Sequence, residues 1–411
     1  MRTTTTLEQR AAEVAALFRP QPGDYEKLFS PVFLQHVSPA ELTALLTDTR
    51  ARMGNCIKYL LVISDNRFAG KFEFVFEKGY SLQVAISIDP SPPNLINGLL
   101  MNNPRRLLAT FDDIAKELDS FPGEVSFLLA RLSSSGSVPL LDHHPDRTLA
   151  IGSAFKLYVL CELIRSIEAG RHRWSDVAYL NTSAISLPSG SLQQWPANSP
   201  LTLHTLAALM ISQSDNTATD QLIQILGREK IEEALRIVGH SRPEMNVPFL
   251  TTLEMFKLKY IPQQRLAERY LAMDERARRN FLTEVIACID REEIVPATTH
   301  LDTAGIEWFA SASDLCRAMS WIQLRTEAED AARPAREILA INSGLTISEK
   351  DWRYVGYKGG AEPGVLNLTL LLQSAKGQWY VCSASWNNAQ EASLDESRLV
   401  SLVERALQLI D

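Results

Sequence analysis

Residues 210–222 read MISQSDNTATDQL. The stretch closes an apolar helical run, PLTLHTLAALMISQ over 200–213, for which Thr202 is the expected N-cap. Three polar residues then stand side by side, Ser214, Asp215 and Asn216. A buried polar group without a partner costs about 1–3 kcal/mol. These side chains therefore either satisfy one another or mark a helix that ends at a cleft.

Two further motifs lie on either side. Upstream, Ser153-Ala154-Phe155-Lys156 opens SAFKLYVLCELIRSIEAG (153–170), a helical pattern apolar on almost every side until Gly170. Such a helix lies inside a domain. Residues three apart share a helix face, so Lys156 reaches the Ser153 hydroxyl. A serine hydroxyl needs a base before it attacks a carbonyl. A lysine is that base only when neutral, which burial and a second cation both favour. Downstream, Lys358-Gly359-Gly360 supplies the second cation and ends WRYVGYKGG, the first of three strand-like runs followed by VLNLTLLLQS and WYVCSASW. Ser214 is placed to pass a proton to a leaving group. Backbone N–H groups at Ser153 and on the strand beside Lys358 are placed to bind an oxyanion. Asp215 is expected to turn away and bond to backbone, because a carboxylate within about 4 Å of Lys156 would hold that lysine charged.

The order S-x-x-K, S-D-N, K-G-G resembles the signature of the serine β-lactamase and penicillin-binding superfamily, class A-like, over about 125–411. The resemblance implies a nucleophile at Ser153, a base at Lys156, a proton relay at Ser214 and an electrostatic anchor at Lys358. It implies substrate contacts at Asn216, Gly360 and Ala361, no metal and no cofactor. A second S-D-N, Ser64-Asp65-Asn66, precedes S-x-x-K, follows a strand-like run and is read as a turn. Two departures stand out. The threonine of K-T-G is Gly359, which removes a hydroxyl for a substrate carboxylate. No E-x-x-L-N, whose glutamate activates the deacylating water in class A enzymes, occurs between S-D-N and K-G-G. Glu244 and Glu254 are the nearest carboxylates by position, and neither has the flanking pattern. The interval is long and carries a charged helical pattern over 263–290, read as a solvated face, with a lid over the cleft as the alternative.

The remaining sequence sets the frame. The chain has 411 residues, net charge −8, 45% hydrophobic and 22% charged residues, which suits a globular protein of two domains. We expect an α+β fold: residues 1–118 as a small α+β domain of steroid-isomerase or NTF2-like cone type, and 119–411 as a β-lactamase-like domain with an antiparallel sheet, helices on both sides and an all-helical lobe. In the first part, helical patterns at 7–18 and 39–54 precede strands at 57–64, 68–79 and 80–89, with a Lys-Gly turn between the last two. In the second, VSFLLARL (125–132) is a strand and 394–410 a closing amphipathic helix. The two-domain layout resembles that of one β-lactamase-like member of the superfamily, in which a steroid-isomerase-like domain comes first and the associated activity is weak cephalosporin esterase. No dense Lys/Arg run suggests nucleic acid, and no long apolar run suggests a membrane span. Without an apolar signal core at its start the chain is expected in the cytoplasm. Five scattered cysteines form no CxxC pair and are read as free thiols. His143-His144 has no companion ligands at metal-binding spacing, and Trp195 is a candidate for the rim of the cleft. The expected partner is a small ester or β-lactam substrate. A weak or specialised esterase is favoured over an efficient β-lactamase, with a silent ligand-binding relative as the rival from another class.

Overall fold

Residues 6–19, 23–133, 136–261, 265–295, 305–345, 347 and 350–410 are described by the computed structural model. Residues 263 and 264 of the charged segment lie outside them. The chain divides into two units, Met1–Ala109 and Thr110–Asp411.

In the first unit, helix α1 spans Thr6–Leu17 and helix α2 spans Pro39–Met53. Ser38 and Glu41 cap α2 reciprocally, with Pro39 in the first turn, where its missing N–H costs nothing. Strands β1 (Cys56–Asn66), β2 (Ala69–Phe76), β3 (Tyr80–Ile88) and β4 (Ile96–Met101) pair antiparallel in that order. Period-2 alternation sends Phe72, Phe74 and Phe76 inward against Ala11, Val14 and Phe18 of the first helical stretch. The Lys-Gly hairpin forms as the alternation implied, with Gly79 at φ +74°. The early Ser64–Asn66 copy lies at the end of β1, where the Asn66 amide oxygen accepts the Phe68 N–H at 2.8 Å and holds the β1–β2 turn. That is a structural use.

In the second unit, helix α3 (Phe111–Asp119) leads into the hairpin of β5 (Glu124–Ser133) and β6 (Gly136–His143). The helical middle includes α4 (Lys156–Glu168), α5 (Leu203–Ser212), α6 (Asn216–Leu226), α7 (Thr252–Tyr260) and α8 (Ala312–Ala328). The chain returns as β7 (Trp352–Glu362), β8 (Val365–Ser374) and β9 (Trp379–Asn387), and ends in α9 (Glu396–Gln408). The antiparallel sheet runs β7-β8-β9-β5-β6. Strand β6 was not expected. Its sequence, GSVPLLDH, is mostly exposed and carries Pro139, which an edge strand tolerates and a central one does not.

Both faces of the sheet are covered. Leu128, Ala130, Leu371 and Val381 join α4 and α8 in the main core. Their strand neighbours Phe127, Leu129, Leu370 and Cys382 point the other way and are equally buried, toward the layer in which α3 and α9 contact the sheet. The charged segment forms helices Leu266–Leu271 and Glu275–Glu284, the second tied down by Arg279 to Glu232 and Glu275. Among the described residues no helix is long and apolar enough to cross a membrane.

Candidate active site

The stretch 210–222 divides into three. Helix α5 stops at Ser212, α6 starts at Asn216, and Ser214 turns the chain between them at φ +55°. A left-handed serine costs of order 1–3 kcal/mol and persists where its surroundings over-determine it. Here they do. The Ser189 hydroxyl donates to the Ser214 carbonyl at 2.6 Å, and the Asn216 N–H donates to the Ser189 carbonyl at 3.1 Å.

Asp215 is fully buried and turned from the cleft. As the N-cap of α6 it accepts the Ala218 N–H at 2.8 Å, and its other oxygen accepts the N–H groups of Ser191 (2.6 Å) and Leu192 (2.9 Å). Its carboxylate is spent on backbone, as the charge argument required. Asp215→Asn turns one acceptor into a donor facing those N–H groups, and a stability loss of about 2 kcal/mol is expected. Urea denaturation checks it, and a midpoint unchanged from the parent protein would contradict the cap's role.

Ser153 lies in a 3-10 turn, Gly152–Phe155, that runs into α4, rather than in the α-helix itself. The Lys156 ammonium position is wholly buried. Its Nζ lies 3.1 Å from Ser153 Oγ, 3.1 Å from Ser214 Oγ, 2.6 Å from the Ser214 carbonyl and 2.7 Å from Asn216 Oδ1. Burial, and then the neighbouring Lys358, push its pKa well below the ordinary lysine value. A neutral amine has two N–H donors and one lone pair. The two carbonyl-type acceptors can take only N–H, which leaves the lone pair for a hydroxyl. Lys358 is also buried, and burial pushes its pKa down to about 7. Its Nζ lies 3.0 Å from Ser214 Oγ, so that hydroxyl bridges the two lysines.

Strand β7 closes the site at Gly360. A Cβ there would collide with the Ile151 carbonyl and sit 2.7 Å from the Ser153 nitrogen, so only glycine allows the strand so near the nucleophile. The same approach puts the Ala361 nitrogen beside Gly152, at the Ser153 end of the cleft. Gly359 has its own reason. A side chain there would collide with the Tyr357 hydroxyl, which lies two residues back on the same strand face. Tyr357 thus fills the space a threonine would take, a link the sequence did not disclose.

Ser153, Asn216 and Ala361 line one cleft of about 310 Å³ with Pro188, Ser189 and Thr252, and its apolar wall comes from Phe155, Met255, Phe256, Tyr260 and Trp308. The Phe155 and Trp308 rings stack at 3.7 Å. Helix α7 lays one face on this cleft because Asp220 of α6 accepts the N–H groups of Thr252 (2.7 Å) and Leu253 (2.9 Å) at its start. Burial raises the Asp220 carboxyl to about 7. This anchor was missed. The only hint was the acid in the extension NTATDQL.

The positional carboxylates do other work. Glu254 caps α7 through Thr251 and pairs with Arg228 at 2.6 Å, and Glu244 is exposed beside Arg242. Neither lines the cleft, nor do Trp195 and the helices of the charged segment. The described residues contain no group of three metal-ligating side chains.

Two half-buried serines around a buried lysine, beside a second buried lysine, on an antiparallel sheet flanked by helices, define a candidate acyl-transfer site. A family model described as the β-lactamase enzyme family matches residues 109–283. Among solved structures, the chain is similar to a β-lactamase from Sphaerobacter thermophilus DSM 20745, with 18% identity, 73% of this chain and 96% of that one covered, and a TM-score of 0.51. It is also similar to the TLA-1 extended spectrum β-lactamase, with 11% identity, 72% and 95% covered, and a TM-score of 0.50. The likeness is one of fold: the second unit is β-lactamase-like. No curated protein matches the chain.

Proposed function

We propose that this protein is a serine hydrolase of β-lactamase type that forms an acyl-enzyme at Ser153 and acts as a slow, specialised esterase or β-lactam-reactive enzyme. The observation that carries the reading is the proton inventory at Lys156. Its two carbonyl acceptors consume both N–H donors of a neutral amine, and its lone pair is left for a hydroxyl, with Ser153 Oγ and Ser214 Oγ each 3.1 Å from Nζ. Ser214 also meets Lys358, which leaves Ser153 as the hydroxyl that depends on Lys156 alone.

Acylation follows from that geometry. Lys156 takes the Ser153 proton as Oγ bonds to the ester or lactam carbonyl carbon. The Ser153 and Ala361 N–H groups face the developing oxyanion. Ser214, bridged to both lysines, hands a proton to the leaving oxygen or nitrogen as its bond to carbon breaks. Asn216 and the Gly360–Ala361 backbone hold the substrate, and the aromatic wall suits an apolar acyl group. Lys358 attracts a substrate carboxylate without the hydroxyl that K-T-G would add. The first unit fits a steroid-isomerase-like cone that precedes the hydrolase unit, as in two-domain members of the superfamily.

Turnover is expected to be limited by deacylation. The face of α7 on the cleft is Thr252, Met255, Phe256 and Tyr260 and contains no carboxylate. A chromogenic cephalosporin should give a burst of about one equivalent of product followed by a slow steady state. Linear release from the first turnover, without a burst, would reject this order of rates.

A further inference from the structure

Residues Lys358, Gly360 and Glu362 are alternate positions of β7 and share one face of the strand. The register is fixed on that face, because Gly360 abuts the Ser153 nitrogen. Lys358 therefore flanks the nucleophile on one side and Glu362 on the other, about 7 Å further along the strand. Lys358 reaches Ser214. Glu362 lines the same cleft as Ser153 and is the one carboxylate among its described lining residues.

Glu362 does not stand alone. Lys259, at the end of α7, donates to Glu362 at 2.7 Å and is also ion-paired with Glu307. Burial opposes the Lys259 charge, but the two carboxylates outweigh it and raise its pKa. One ammonium thus serves two acids. Burial, and then the nearby Glu362, raise the Glu307 carboxyl. Its Oε2 is buried without a hydrogen-bond partner. An unpaired buried carboxylate oxygen is costly, and a proton on Glu307 removes that cost.

We propose that Glu362 is the general base for hydrolysis of the acyl-enzyme, with Lys259 and Glu307 as positioning residues. The inference rests on the acyl-enzyme reading above. An O–H bond of water breaks and its proton goes to a Glu362 oxygen, while the water oxygen bonds to the acyl carbon. The bond from that carbon to Ser153 Oγ then breaks, its electron pair stays on Oγ, and the serine regains a proton equivalent from Glu362. Free serine and a carboxylic acid result. The base enters from the strand side of the cleft, beyond Ala361, and the apolar face of α7 is left to the acyl group.

The test separates formation of the adduct from its loss. The full chain is acylated with a cephalosporin, freed of excess reagent by rapid desalting, and followed by intact mass. In Glu362→Gln the adduct should still form, and its loss should slow about 100-fold, within the range for a removed general base. Should that variant fold poorly, Glu362→Ala with added formate supplies a second arm, and formate should accelerate loss of the adduct. Loss at the parental rate in Glu362→Gln, or in Glu362→Ala without formate, overturns the proposal and leaves the acyl-enzyme reading standing. No adduct on the parent protein overturns that reading and the proposal with it.

Discussion

Ser153→Ala should bring hydrolysis of esters and cephalosporins down to the uncatalysed background, a loss of at least about 1,000-fold in kcat/KM. The change deletes one oxygen. Among the described residues Ser153 Oγ has a single hydrogen-bond partner, Lys156 Nζ at 3.1 Å, and the side chain is half-buried. The 3-10 turn around it is made by backbone and by Ala154 and Phe155 in the core. Stability should therefore shift by less than about 1 kcal/mol. Equal activity in parent and variant, measured on folded protein, would mean that another group is the nucleophile.

The second large effect is at the base. Lys156→Arg keeps a cation but not a proton acceptor, because guanidinium stays protonated at any working pH. Acylation should fall about 100- to 10,000-fold. The parent protein gives the matching pH profile. The Lys156 pKa is lowered by burial and by Lys358, and on the proposed mechanism its neutral form is the base. The acylation rate should thus be full above that lowered pKa and fall as pH drops through it. Stopped-flow burst rates against pH check the profile. Near-normal acylation in the Arg variant would show that some other group takes the Ser153 proton. A circular dichroism melt beside it separates loss of the base from crowding by the larger head group.

Much of the site was legible because it is local. The i, i+3 spacing puts Ser153 beside Lys156. The break in apolar patterning at Ser214 marks the end of a helix. The Asp215 orientation follows from charge alone, since a carboxylate within about 4 Å of Lys156 would hold that lysine charged. The strands of the five-stranded sheet in the second unit were legible as apolar runs, except β6. Its exposed edge position leaves a mixed pattern, and Pro139 breaks it further. What escaped was one side-chain fit within a strand, and whatever depends on distant segments meeting. Tyr357 fixing Gly359 is a matter of strand facing and ring position. Asp220 holding α7 joins two helices. Lys259, Glu307 and Glu362 come from three separate stretches, and no spacing rule connects them. Glu254 shows the converse. It looked like a candidate by position, yet Thr251-x-x-Glu254 is a capping box, and a cap is its use here.

On the proposed mechanism Lys156 activates Ser153 for covalent attack. A mass spectrum of the intact chain after incubation with a panel of cephalosporins, penicillins and simple esters, followed by peptide mapping, tests it most directly. The expected result is one acyl group per chain on the peptide that contains Ser153, formed within the burst and lost slowly. No adduct with any member of the panel, or an adduct mapped to another residue, would contradict it.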